Sequence, residues 1–194
     1  MAETEARRVR VWDPALRVFH WLLTVLVIAN WLLGKFGPPV MTLHFWLGYS
    51  ILALLIFRLL WGFVGPESAR FAHFVRGPRH IRDYVRDLPQ RRPSHWPGHN
   101  PLGALSVLAL LAVLGFQVYS GLVMDPDDFI NIGPLASQVS RETNRAAVGW
   151  HNIGANLILA LVVLHVAVIL FYRFWKNEDL IRPMITGWKW VRRR

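Results

Sequence analysis

Four apolar runs, at residues 15–33, 44–64, 101–124 and 148–172, make up nearly half of this 194-residue chain. A helix rises about 1.5 Å per residue, so about twenty such residues cross the roughly 30 Å hydrocarbon layer of a bilayer. With 54% hydrophobic residues, the chain reads as an integral membrane protein of the all-α class. The expected architecture is a four-helix transmembrane bundle forming a single domain over 1–194, with no soluble domain. The first apolar run has no small-residue cleavage site before it and is read as a retained helix.

The net charge of +10 would suit a nucleic-acid binder, but its placement does not. Arg7, Arg8, Arg10 and Arg17 precede or open the first run. Arg70, Arg76, Arg79, Arg82, Arg86, Arg91 and Arg92 fill the second loop, and more basic residues follow the fourth run. The first loop carries only Lys35. The third sets Arg141 and Arg145 against Asp125, Asp127, Asp128 and Glu142. Positive-inside bias then places both termini in the cytoplasm. Trp12, Trp31, Trp46, Trp61, Trp150 and Trp175 lie near the proposed helix ends, where an interfacial belt or core packing would account for them.

Local signals sharpen the boundaries. Asp13-Pro14 and Asn100-Pro101 each place a capping side chain before a proline that tolerates the first helical position. The segment Pro78 to Leu88 forms either a short surface helix, with Ile81, Tyr84, Val85 and Leu88 on one face, or a solvated basic turn. Gly103, Ala104, Gly115, Ser120 and Gly121 make the third span a packing helix, since small residues let backbones approach in lipid. No internal repeat is evident.

Histidines carry the chemistry. His151 and His165 stand fourteen residues apart in the fourth span, about 40° short of four full turns and about 21 Å apart along the axis. One helix face thus offers two imidazoles at different depths. With even helices running inward, His20 lies about 9 Å and His165 about 12 Å from the cytoplasmic side, while His44 and His151 both lie near outer ends. The expected pairs are His20 with His165 on an inner haem iron, and His44 with His151 on an outer one. Polar bundle packing and a proton relay are the competing readings.

The chain has no cysteine, so the haems would be b-type, held non-covalently. Bis-histidine iron has no open position, which suits electron transfer over oxygen chemistry. Arg58 lies fourteen residues beyond His44, and Arg17 one turn before His20. Each would meet a haem propionate or lipid headgroups. His99 is the candidate for quinone contact or proton delivery, with a solvated loop as the alternative. His73, His80 and His95 read as solvated.

These residues resemble the bacterial di-haem cytochrome b561 family, which includes the cytochrome b subunits of nickel–iron hydrogenases. The matching stretches begin with Trp12-Asp13-Pro14, Arg17-Val18-Phe19-His20-Trp21, His44-Phe45-Trp46-Leu47-Gly48-Tyr49 and Arg58-Leu59-Leu60-Trp61-Gly62. Gly98-His99-Asn100-Pro101-Leu102-Gly103, Trp150-His151 through His165, and Leu180-Ile181-Arg182-Pro183-Met184-Ile185-Thr186-Gly187 complete the series. The resemblance implies a bacterial inner-membrane bundle moving electrons between the quinone pool and a periplasmic redox partner. That partner would be a c-type cytochrome or another redox protein in preference to a hydrogenase. A rival within the same frame is a self-contained superoxide:quinone oxidoreductase, with Lys35, Arg141 and Arg145 attracting the anion.

Overall fold

The computed structural model describes residues 6–75, 77–91, 96, 98–127 and 129–192. Arg76, Arg92, His95 and Asp128 lie outside the described residues. Four long helices carry the apolar runs: α1 Pro14–Phe36, α2 Thr42–Val64, α5 Pro101–Val123 and α6 Arg141–Phe174, all long and apolar enough to span a membrane. Between α2 and α5 come the single turn α3, Phe71–Phe74, and the surface helix α4, Pro78–Asp87. After α6 comes α7, Ile181–Thr186. Strand β1, Ala6–Arg10, pairs antiparallel with β2, Trp188–Arg192. The protein is mostly helical, as the apolar runs require.

Both expected caps are present. Asp13 Oδ1 accepts from the Leu16 amide at 3.0 Å, and Asn100 Oδ1 from that of Gly103 at 2.8 Å. Each cap also ties its helix to the next span. Asp13 accepts from Trp61 Nε1 at 3.3 Å, and Asn100 Nδ2 donates to the Tyr172 hydroxyl at 3.1 Å. Helix α4 forms where the amphipathic spacing allowed it.

Two features depart from the sequence reading. Helix α6 begins at Arg141, well before residue 148, because Ser140 caps it. The Ser140 hydroxyl accepts from the Thr143 amide at 3.2 Å, and buried Asn144 donates to the carbonyls of Val123 at 2.7 Å and Ala136 at 3.0 Å. A polar first turn held by such bonds leaves no trace in an apolar-run search. The tails also differ, since they pair as β1 and β2. A two-stranded ribbon is marginal alone and depends on its anchorage, which local pattern does not reveal.

The chain forms two compact units, one of Met1–His20, Arg58–Leu108 and Val163–Arg194, the other of Trp21–Phe57 and Ala109–Val162. Each spanning helix contributes one end to each. The second unit has an aliphatic core of Ile51, Leu55, Leu114 and Ile158, with Leu23, Leu26, Val27 and Val118 against it.

The first unit is held by polar fastenings. Val11 and Trp12 donate backbone amides to Gly187 O at 2.8 and 3.2 Å, and Gly187 ends α7 at φ 84°, a conformation that favours glycine. Lys189 Nζ meets Glu178 Oε1 at 2.6 Å and the Trp96 carbonyl at 2.9 Å, with the Lys189 and Glu178 side chains 10% and 5% exposed. Removing one member of a buried ion pair is costly, because the other charge stays buried without its counter-ion. Lys189→Ala is therefore expected to cost about 3–5 kcal/mol, measured as a lowered midpoint in thermal unfolding. Lys189→Arg should recover part of the loss.

Candidate functional site

In the second unit, α2 supplies His44 and α6 supplies His151. Their ring centroids are 6.0 Å apart and their planes inclined at 72°. Each imidazole is held at Nδ1 by a backbone carbonyl on the preceding span: His44 by Asn30 O at 3.1 Å, His151 by Gln117 O at 3.1 Å. A carbonyl can only accept, so both rings carry the proton on Nδ1. Nε2 is left with its lone pair, the state a metal ligand needs. Ser120 Oγ, itself donating to Gln117 O at 2.9 Å, lies 3.1 Å from His151 Nδ1.

Glycines make room for these rings. A Cβ at Gly34 would stand 3.2 Å from His44 Cε1, and one at Gly121 would stand 3.0 Å from His151 Cε1. Between the helices lies a cavity of about 280 Å³ lined by both histidines, both glycines, Asn30 and Gln117. Asn30 Oδ1 and Gln117 Oε1 are buried with no hydrogen-bond partner among the described residues.

The same parts recur in both helical hairpins. Asp13-Pro14, Asn30 and Gly34 on α1 match Asn100-Pro101, Gln117 and Gly121 on α5, each displaced by the same 87 positions. The pattern is an acidic or amide cap, proline, an amide sixteen residues later and glycine four beyond it. In the following spans His44 matches His151, and Arg58 falls where His165 does. This spacing is a signal in the sequence that the reading above missed. Gly121 was read as generic packing together with Gly115, yet a Cβ at Gly115 would meet nothing within 4 Å.

In the first unit, His20 on α1 and His165 on α6 are close enough to interact electrostatically. Arg58, 2% exposed, lies with its guanidinium carbon 4.6 Å from the Phe71 ring centroid and 5.9 Å from that of Phe74. Such burial removes the headgroup reading of Arg58. Its Nη1 and Nη2 are buried with no hydrogen-bond partner among the described residues, and the Asp13 carboxylate attracts its charge. The Phe71 ring occupies the space that a Cβ at Gly62 would need, so this glycine admits the aromatic cover. The sequence reading did not anticipate Phe71 or Phe74.

His99 is packed rather than solvated. Its ring centroid lies 4.6 Å from Trp12 and 4.5 Å from Phe74, and its Nδ1 is buried with no hydrogen-bond partner among the described residues. Burial first, then electrostatic interaction with Arg58 and His165, pushes its pKa down to about 3. The ring is thus neutral throughout the physiological range. His73 and His80 are exposed, in line with solvated positions. Arg17 turns toward the C-terminal segment, where Nη1 donates to the Ile185 carbonyl. Lys35 lines the second unit's cavity, and Arg145 lies 3.9 Å from Asp127 on the surface.

Histidines gathered within spanning helices, with buried cation and amide groups beside them, define a membrane-embedded electron-transfer protein. The chain belongs to the prokaryotic cytochrome b561 family, whose model matches residues 11–187. Membership brings haem b as the cofactor and the bacterial inner membrane as the setting, with several passes across it. Among its relatives, the probable Ni/Fe-hydrogenase B-type cytochrome subunit of Azotobacter vinelandii is 26% identical, over 93% of this chain and 88% of that one. The corresponding Rhizobium leguminosarum protein is 25% identical, over 94% and 89%. The probable Ni/Fe-hydrogenase 1 B-type cytochrome subunit of Escherichia coli K12 is 24% identical, over 92% and 89%. No solved structure matches the chain.

Proposed function

We propose that the chain is one functional domain holding two b haems, one between His44 and His151 and one between His20 and His165, and that it relays electrons between quinone and an external redox partner. The observation that carries this is the matched pair of Nδ1–H donations from His44 and His151, which leaves two ligating nitrogens across one cavity. With ring centroids 6.0 Å apart, these two imidazoles are the residues that would hold the haem iron. Haem iron between two imidazoles supplies one-electron exchange without an open coordination position.

The remaining residues act by orientation and charge. The Asn30 and Gln117 carbonyls fix the imidazole tautomer and raise ligand basicity. Arg58, with its buried terminal nitrogens, offers a haem propionate two charge-assisted donors. His99, neutral and beside Arg58, is the candidate for accepting a hydrogen bond from quinol. Basic residues concentrated on the terminal segments and the loop carrying α4 favour the cytoplasm for that side.

The relatives' names favour a hydrogenase over a c-type cytochrome as the external partner. Detergent-purified protein should show two haems per chain and a b-type reduced-minus-oxidised spectrum, and a short-chain quinol should reduce it. Protein purified without haem under adequate haem supply overturns the reading.

A further inference from the structure

The ribbon of β1 and β2 has two unlike faces. Residues directly opposite in a ladder share a face, so Arg8 with Trp190 and Arg10 with Trp188 form one side, and Val9 with Lys189 the other. The second side is inward, since Lys189 is buried on Glu178 and the Trp96 carbonyl. The first is open: Arg8 and Arg10 are exposed, and Trp188 and Trp190 are 40% and 63% exposed. Arg8 stacks on Trp188 with its guanidinium carbon 4.7 Å from the ring centroid.

The ribbon's anchorage sets its level. Its inner end is bound through Val11 and Trp12 to Gly187, and Arg17, in the first turn of α1, holds the Ile185 carbonyl just before that turn. Next along α1 the apolar Val18, Trp21 and Leu22 are exposed, as residues facing acyl chains would be. The ribbon therefore stands where the span enters the bilayer, the layer of lipid headgroups. Arginines there neutralise phosphate, and tryptophan rings favour the same depth.

We propose that the Arg8, Arg10, Trp188 and Trp190 face of the ribbon is a binding surface for anionic phospholipid headgroups. The two guanidinium groups meet lipid phosphate while the indoles pack among the headgroups. Both chain ends are thereby fastened to the membrane as one element. The inference rests on the ribbon alone and stands apart from the assignment of haem ligands.

Hydroxyl-radical footprinting of the full chain in nanodiscs tests it, with phosphatidylcholine alone compared with phosphatidylcholine containing one-third phosphatidylglycerol. Oxidation of Trp188 and Trp190 should fall severalfold with the anionic lipid. In Arg8→Gln/Arg10→Gln this protection should be largely lost, as expected when two basic contacts of about 1 kcal/mol each are removed. Equal oxidation in the two lipids overturns the proposal, and this comparison needs no variant. Protection restored by inorganic phosphate in pure phosphatidylcholine assigns the site to a free anion and overturns the lipid assignment. Protection given only by added soluble polyglutamate, which would identify an acidic macromolecule as the occupant, also overturns it. Unchanged protection in the double variant removes the arginines from the argument.

Discussion

His151→Ala is expected to halve the haem content, from two per chain to one, and His44→Ala to do the same. His20→Ala and His165→Ala should each remove the other haem. The expectation follows from the partition of these side chains: His44 and His151 line one cavity in the second unit, while His20 and His165 interact within the first. On the proposed ligation each variant would deprive an iron of one of two protein ligands, so the loss at the altered site should be nearly complete. The measurement is haem quantification with low-temperature reduced-minus-oxidised spectra, in which each pair of variants leaves the same surviving band. If His44→Ala and His151→Ala leave different bands, the pairing is wrong. A double variant such as His151→Ala/His165→Ala should be colourless.

The second large effect concerns a residue without a functional group. Gly121→Val is expected to reduce occupancy of the site between His44 and His151 by about five- to a hundredfold, because a Cβ alone would stand 3.0 Å from His151 Cε1. Overpacking a tight contact costs about 1–3 kcal/mol, and each 1.4 kcal/mol is tenfold in an equilibrium constant. Gly34→Val should act in the same way through His44, more mildly since its distance is 3.2 Å. Gly115→Val is the internal control. It lies on the same helix, but a Cβ there meets nothing within 4 Å, so the haem titration should be unchanged. Equal losses from Gly115→Val and Gly121→Val would mean that valine harms α5 generally.

The spans and the histidines were legible in the sequence for different physical reasons. Apolar runs announce themselves because the bilayer demands length and composition together. Ionisable residues within such runs stand out because they are costly there. The caps at Asp13 and Asn100 could be read because proline follows each. Helix α6 was read short because the turn after Ser140 is polar and held by hydrogen bonds from Asn144. The ribbon escaped notice because its stability lies in Lys189, Glu178 and Gly187, which come together only after folding.

Within the candidate site the legible part was the imidazoles, and the illegible part was what orients them. A backbone carbonyl has no letter in the sequence, so nothing marked Asn30 and Gln117 as the residues whose oxygens hold the rings. Burial of His99 was also out of reach, since it depends on Trp12 and Phe74 arriving from separate segments. The 87-position recurrence was present throughout. It was overlooked because it matches functional types, such as amide with amide, more than identical letters.

That recurrence has an evolutionary and engineering consequence. The site between His44 and His151 uses corresponding helices of two similar hairpins, so a single hairpin meeting a second copy of itself would regenerate its parts by symmetry. The site of His20 and His165 would not follow, because residue 107, the counterpart of His20, is Val107, and Arg58 replaces the counterpart of His165. A minimal homodimer cut from α1 and α2 is thus a design for a one-cofactor membrane protein, and divergence between the halves is what makes room for a second.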